Sequence, residues 1–154
     1  MVVDEYSRFS FVFPFPHVST TTVIKCLTYL FSLVGMPAYV HSDRGASFMS
    51  KGLREFLTTK EVAARRSTSY HPEGNGQAGR YNGVVWRAIT MSLKSKNLPF
   101  RNWQDVLPDV PDSIRSLLCT ATNETPRTLL WFLTTIILWC RNPHKVIHVG
   151  TRLP

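Results

Sequence analysis

Residues 41–48 read HSDRGASF, and they mark the change from an extended strand to a helix around which the rest of the chain is organised. Residues 39–41 favour a short strand. Asp43 and Gly45 are typical turn residues. Apolar residues then recur at helical spacing over 48–57, which predicts a helix. On its own, an aspartate at the end of a strand and just before Gly45 indicates a turn or a helix N-cap.

Upstream of this stretch the sequence predicts a hairpin and a helix. Residues 1–3 are apolar, and phenylalanines alternate with other residues over 9–15, which is the period of a strand. A short polar stretch between the two suits a turn. Ser19 or Thr20 is a good helix N-cap, and Gly35 is expected to end the helix that follows.

Downstream, residues 61–69 favour another strand, and residues 70–76 form a loop rich in helix breakers. A long helix is expected from about 75–77 to about 96. A last helix over 103–119 is interrupted by two prolines. Strands that alternate with helices after a hairpin predict an α/β domain with a mixed sheet.

Composition fits one globular domain with a basic surface. The chain has 154 residues, of which 44% are hydrophobic and 18% charged, so a disordered chain is not expected. The formal net charge of +8 favours a polyanionic partner, with nucleic acid first. Residues 127–154 hold four basic residues and no acid, so they supply half of that charge.

The cellular compartment is inferred from the cysteines and the apolar runs. Three cysteines without paired spacing fit a reducing, intracellular compartment. No secretory signal is visible at residues 1–15. The longest apolar run, at 129–140, is shorter than the roughly 20 residues that a membrane-spanning helix needs, so a membrane partner is not expected.

Four segments, in this order and spacing, resemble the integrase catalytic core of gypsy-type LTR retrotransposons and the wider retroviral integrase family. They read VVDEYSRF at 2–9, HSDRGASF at 41–48, YHPEGNGQ at 70–77 and NETP at 123–126. Each is weak alone, but together they are specific and cover about residues 2–126. The resemblance implies an RNase H-like fold, a mixed sheet flanked by helices, that joins DNA ends by strand transfer.

The resemblance also implies two divalent metal ions, Mg²⁺ or Mn²⁺, held by two Asp and one Glu. In-line displacement at a phosphodiester uses two ions roughly 3.5–4 Å apart to hold the attacking and leaving oxygens. Mg²⁺ prefers hard oxygen ligands, so three carboxylates from separate elements must converge. Asp43 matches the family's second Asp and is the catalytic residue and metal ligand predicted here.

The other two carboxylates depart from the family pattern. The frame GQAGRYN at 76–82 matches without a gap, so Gly79 stands where the family has its Glu. Glu73 lies in the preceding loop and is a poor replacement. The family's first Asp belongs to a strand before the one at residues 2–4, so Asp4 is not expected to replace it.

The first strand is therefore expected to be missing, which would leave an unpaired edge in the middle of the sheet. We expect Mg²⁺ or Mn²⁺ to bind weakly or not at all, and strand transfer to be lost.

DNA contacts are assigned by resemblance to the loop and the helix after it. The predicted set is His71, Asn75, Gln77, Arg80, Asn82 and Arg87. Arg80, Arg87 and Lys94 are seven apart, so they share one side of the helix and could bind phosphates, which position DNA without reading its sequence. The alternatives are turn chemistry in the loop and a solvated helix face.

Two further pairs leave alternatives open. Arg65 and Arg66 could join the basic patch, although a charged strand edge explains them equally well. Trp86 and Trp103 are interpreted as core or interface residues rather than as platforms for stacked bases.

After the core-like domain at 1–126, residues 127–154 depart from the family. We hypothesise a frameshift near codon 127, and the competing idea is an amphiphilic helix that lies on a membrane or a partner. Cys119, Cys140, His144 and His148 lack a paired-cysteine motif, so a zinc site is not predicted there.

Three functions follow. The first is an inactive integrase-like domain that binds DNA without sequence preference, in the nucleus if it acts. The second is an active integrase whose site is completed by a partner chain, and the third is a non-functional relic. A homo-oligomer is possible, and no small-molecule substrate is expected.

Overall fold

The computed structural model describes residues 1–15, 17–67, 76–137 and 146–150, without the side chains of Gln77 and of residues 132–137. The strands are β1 (Val2–Asp4), β2 (Ser10–Phe11), β3 (Tyr39–Ser42), β4 (Ala63–Arg66) and β5 (Val146–Val149). The helices are α1 (Thr20–Val34), α2 (Ala46–Met49), α3 (Lys51–Thr59), α4 (Gly76–Ser95), α5 (Trp103–Val106), α6 (Asp109–Ser116) and α7 (Pro126–Ile137). A 3-10 turn at Phe100–Asn102 precedes α5.

The five strands form one mixed sheet in the order β2-β1-β5-β3-β4. β1 runs antiparallel to β2 and β5, whereas β3 runs parallel to β5 and β4. The hairpin at the start of the chain and the mixed α/β sheet are therefore confirmed.

The helices cover both faces of the sheet. On one face, α1, α2 and α3 pack against apolar residues of β1, β3 and β5. On the other face, α4, α5 and α6 enclose a second apolar cluster around Val85 and Ile89, which are both fully buried. The result is a three-layer α/β/α arrangement, which agrees with the α/β domain that the alternation of elements predicted.

Local signals set the helix ends where they were expected, with two differences. The Ser19 hydroxyl accepts a hydrogen bond from the Thr22 N–H, and Gly35 ends α1 with a φ of 76°. The single helix predicted over 48–57 is two helices, because Ser50 is extended and caps α3 through the Leu53 N–H. The last predicted helix ends at Ser116, and Leu117 and Leu118 are exposed instead of buried.

The predicted unpaired edge in the middle of the sheet is wrong. β5 lies between β1 and β3 and pairs with both along its length. Ile147 is 1% exposed and Val149 is 6% exposed. Strands that are buried on both faces lack the regular alternation of apolar and polar residues that marks a half-buried strand. The sequence of β5 therefore showed no strand period.

Helix α7 packs on the domain instead of projecting from it. Arg127 forms an ion pair with Asp112 of α6, and Leu130 packs against the core on the α1 side. Among the described residues, no helix is long and apolar enough to cross a bilayer. The boundary at residue 126 and the frameshift remain predictions, although residues 146–149 share the sheet of the preceding domain.

Candidate functional site

One end of the sheet brings together the positions that the sequence singled out. Ser42 pairs with Val149, so Asp43 and Gly150 leave β3 and β5 side by side. A Cβ atom placed on Gly150 would lie 3.2 Å from the Cβ of Ala78, in the first turn of α4. Asp43 and the helical turn that carries Gly79 therefore meet at the same end of the sheet.

Asp43 is partly buried in the turn between β3 and α2. Its Oδ1 atom accepts a hydrogen bond from the Gly45 N–H at 2.9 Å, which is the geometry of an aspartate turn. The turn role foreseen as the alternative is present. The role of Asp43 as an inherited metal ligand stays a prediction.

Gly79 is exposed, and a Cβ atom at this position would meet nothing within 4 Å. A larger side chain therefore fits here without rearrangement. The helix neither requires glycine at this position nor gains stability from it. The carboxylate expected from the family is absent, although there is room for one.

The Asp4 side chain stabilises the turn between β1 and β2 through hydrogen bonds. It is 2% exposed, and its carboxylate accepts hydrogen bonds from the Ser7 N–H at 2.8 Å and the Ser7 hydroxyl at 2.6 Å. Asp4 pairs with Ile147 of β5, and Ile147 pairs in turn with Val40 of β3. Asp4 is therefore in register with Val40, which lies three residues before Asp43. That offset is about 10 Å along the strands, and Asp4 also lies two strands away, so the two carboxylates do not share a metal ion.

The donor set does not fit the two-metal centre that the family resemblance implies. Among the residues that the structure describes, no three His, Cys, Asp or Glu side chains form a group that could hold a metal ion. Asp43 is the carboxylate at this end of the sheet, and Glu73 lies outside the described residues. No catalytic step through metal ions follows from these residues.

Comparisons with known proteins agree with the fold and with the four sequence segments. The family described as integrase core domain matches residues 1–72. The chain is 30% identical over 131 residues to the Pro-Pol polyprotein of Simian foamy virus type 3 (strain LK3), a match that covers 85% of the chain and 11% of the polyprotein. The match to the Pro-Pol polyprotein of Feline foamy virus is 26% identical over 131 residues, with the same shares of each chain covered.

Solved structures show the same fold. The simian T-cell lymphotropic virus intasome in complex with PP2A regulatory subunit B56 gamma matches with a TM-score of 0.72 and 21% identity over 83% of this chain and 46% of that one. The trimeric form of the HTLV-2 integrase catalytic core domain in complex with magnesium matches with a TM-score of 0.65 and 22% identity, over 82% and 80% of the chains.

The matches support a retroviral-type integrase catalytic core. The RNase H-like fold class is confirmed. The chain spans about a ninth of the polyproteins it matches. The finer gypsy-type assignment remains a prediction.

The predicted DNA-binding residues of α4 fall into two groups. Arg80, Arg87 and Lys94 are all exposed, which confirms that they share a solvent-facing side of the helix. Asn82 is partly buried, and its Oδ1 atom has no hydrogen-bond partner. His71, Asn75 and the side chain of Gln77 lie outside the described residues.

The arginines of β4 fit the strand-edge interpretation. β4 is the last strand of the sheet, and the guanidinium of Arg65 lies over the Tyr39 ring at 4.1 Å from its centre. Trp86 packs against Trp103 and Phe100, with ring centres 5.8 Å and 5.9 Å away. Both tryptophans border the core on the α4 side, so their interpretation as core residues is confirmed.

Sequence reasoning missed a pair of histidines in the centre of the sheet. His41 of β3 and His148 of β5 are register partners, and their ring centres are 5.1 Å apart. Burial lowers the pKa of both imidazoles, and the Glu5 carboxylate acts in the opposite direction. The two residues are distant in sequence, so no spacing pattern could have indicated the pair.

Sequence reasoning also missed a cavity beside α4. It has a volume of about 800 Å³, and Arg8, Arg80, Tyr81 and Cys119 are among its lining residues. Burial and the neighbouring Cys119 raise the pKa of Tyr81 to about 12. Burial alone would raise the pKa of the Cys119 thiol, but hydrogen bonds from Ala121, Thr122 and Tyr81 lower it below its usual value.

Proposed function

We propose that this chain is an integrase-core-like protein that binds DNA without sequence preference and does not catalyse strand transfer. The observation that carries the proposal is the exposed Gly79 at the end of the sheet where Asp43 stands. There the family pattern has a Glu, and the described residues supply no converging set of carboxylates.

The physical argument for inactivity is the number of metal ligands. Two metal ions on one phosphodiester need several hard oxygen ligands, and the repulsion between the two ions is offset by the negative charge of the carboxylates together with that of the substrate phosphate. Asp43 supplies one such group. A single carboxylate in a solvent-accessible turn binds one ion weakly at most.

The argument for DNA binding is the exposed basic side of α4. Arg80, Arg87 and Lys94 point to solvent, and the first two have no carboxylate within ion-pair distance among the described residues. Contacts to phosphates release counterions, so affinity is expected to fall with salt for any DNA sequence.

The test is fluorescence anisotropy with two unrelated DNA duplexes over a salt series. We expect equal affinities for both duplexes and a linear fall of log affinity with log salt concentration. The double variant Arg80→Gln with Arg87→Gln should reduce the slope by about 2, since each phosphate contact contributes about 0.9. Arg54→Gln, an exposed arginine of α3, is the matched control and should leave the slope unchanged. Binding that is insensitive to salt, or an unchanged slope in the double variant, contradicts the proposal.

Activity is tested by strand-transfer assays in Mg²⁺ and in Mn²⁺ with the wild type and with Gly79→Glu. We expect no product from either, because one added carboxylate still leaves the set of ligands incomplete. Product from Gly79→Glu would contradict our placement of the first Asp. Product from the wild type that is lost in Asp43→Asn would instead support an active integrase completed by a partner chain.

The proposal also covers the cellular location and the oligomeric state of the protein. An integrase-like protein that acts on chromosomal DNA would work in the nucleus, and it would form homo-oligomers. The HTLV-2 core domain, for which dimeric and trimeric forms are known, supports the second point.

A further inference from the structure

The His41–His148 pair has the properties of a ligand site, and His41 lies two residues before Asp43. His148 is 7% exposed, and its Nδ1 atom and the Nε2 atom of His41 have no hydrogen-bond partner. Buried polar atoms in folded proteins nearly always have one. Two adjacent imidazoles with unpartnered nitrogens therefore point to a bound group.

We infer that His41 and His148 bind a borderline divalent metal ion such as Zn²⁺, and that this ion joins β3 to β5. A zinc–nitrogen bond of about 2.0–2.1 Å puts an imidazole ring centre about 3 Å from the metal, and tetrahedral geometry then separates two ring centres by about 5 Å. The observed separation is 5.1 Å.

The surroundings provide a counter-charge for the ion. The Oε2 atom of Glu5 lies 3.5 Å from the Nε2 atom of His148, and the Glu5 side chain is 45% exposed. Glu5 also lines an open cavity of about 560 Å³, together with Arg8, Tyr39 and Val146. A cation at the imidazoles therefore has a partly exposed carboxylate beside it.

The chemistry of the site selects the metal and limits its affinity. Imidazole nitrogen suits Zn²⁺, Ni²⁺ and Cu²⁺, whereas Mg²⁺ prefers oxygen ligands. No third side chain among the described residues is in ligating position, so water completes the coordination. Arg8 and Arg65 also act on the pair, so the site is weaker than a closed four-ligand zinc site.

The consequence is a metal-dependent attachment of β5. An ion that binds only the folded state stabilises it by mass action. His41 and His148 lie on neighbouring parallel strands, so this stabilisation bears on the insertion of β5 between β1 and β3.

The test measures the melting temperature and the Zn²⁺ affinity of the full chain, by thermal unfolding and calorimetry. Zn²⁺ should raise the Tm and slow amide exchange in 146–149, whereas Mg²⁺ at the same concentration should do neither. His148→Leu and His41→Gln should each weaken Zn²⁺ binding at least tenfold. His17→Asn, an exposed histidine, is the matched control and should bind as the wild type does.

Two choices keep the test decisive. His148→Leu is expected to fold, because an apolar side chain of similar size replaces buried nitrogens that have no hydrogen-bond partner. If it does not fold, the test uses His41→Gln instead. The absorption spectrum of bound Co²⁺ is then compared between the wild type and this variant, since nitrogen ligation changes that spectrum. Absence of Zn²⁺ binding, or equal binding by the wild type and both variants, overturns the inference.

Discussion

At the residue scale, Cys119 is a partly buried thiol whose pKa is lowered below its usual value. Burial acts to raise the pKa of its thiol, but hydrogen bonds with the Ala121 backbone, with Thr122 and with the Tyr81 phenol favour the thiolate and lower the pKa. Cys26 is different, because burial raises the pKa of its thiol. The two cysteines should therefore differ in reactivity.

We predict that iodoacetamide modifies Cys119 several-fold faster than Cys26 at pH 7.5, as measured by peptide mass spectrometry. The lowered pKa leaves more Cys119 as thiolate at this pH, and the difference should shrink as the pH rises towards 9. Tyr81→Phe removes one donor and should slow the modification of Cys119 alone. Equal rates at the two cysteines would mean that these hydrogen bonds do not control reactivity.

The candidate site was predictable only where residues lie close together in the chain. Asp43 and Gly79 each lie within a short segment that matches the family pattern without a gap. One sequence was therefore enough to place Asp43 at the end of a strand and Gly79 in the first turn of a helix. The histidine pair and the Tyr81–Cys119 contact depend on strand register and on helix packing. The spacing of residues along the chain predicts neither of these contacts.

At the element scale, Arg115 joins α6 to β2. Its Nε and Nη2 atoms donate hydrogen bonds to the Ser10 carbonyl oxygen at 2.9 Å and 2.8 Å. The guanidinium also lies over the Phe9 ring, 4.3 Å from its centre. One side chain therefore satisfies the backbone of a two-residue strand and covers the aromatic ring beside it.

We predict that Arg115→Leu lowers the free energy of unfolding by about 1–3 kcal/mol, since charged hydrogen bonds of this kind contribute about that much. Arg115→Lys should recover only part of the loss, because an ammonium lacks the planar fork of donors. Arg54→Leu, on the exposed side of α3, is the control. Urea unfolding gives the free energy of unfolding of all three variants. If Arg54→Leu and Arg115→Leu lose the same free energy, the contact of Arg115 with β2 does not stabilise the fold.

Elements with strong local signals were placed correctly, and those without them were not. α1 has a capping serine, an apolar stripe and a terminal glycine, and both its ends were predicted within a residue. The break at Ser50 was missed because a serine inside an apolar period is compatible with a continuous helix. β5 was missed because three apolar residues and one histidine within an irregular tail give no period.

At the scale of the whole molecule, the first residues of the chain and residues 146–150 meet in the centre of the sheet. The Gly150 N–H donates to the Met1 carbonyl oxygen at 3.1 Å, and β5 separates the hairpin from the β3–β4 pair. The sheet is continuous only when residues 146–149 are in place. We therefore expect the first 126 residues and the last strand to unfold as one cooperative structure.

This cooperativity is tested by Ile147→Ala. Ile147 is 1% exposed and packs in the core on the α1 side, so its truncation leaves a cavity and should lower the free energy of unfolding by about 2–5 kcal/mol. Leu33→Ala, at a position 53% exposed on α1, should cost well under 1 kcal/mol. Urea unfolding should show a single transition in both variants, with the midpoint shifted only in Ile147→Ala. If Ile147→Ala unfolds like the wild type, residues 146–149 do not contribute to the sheet in solution, and the segment after residue 126 would be an appendage to a domain with an open edge.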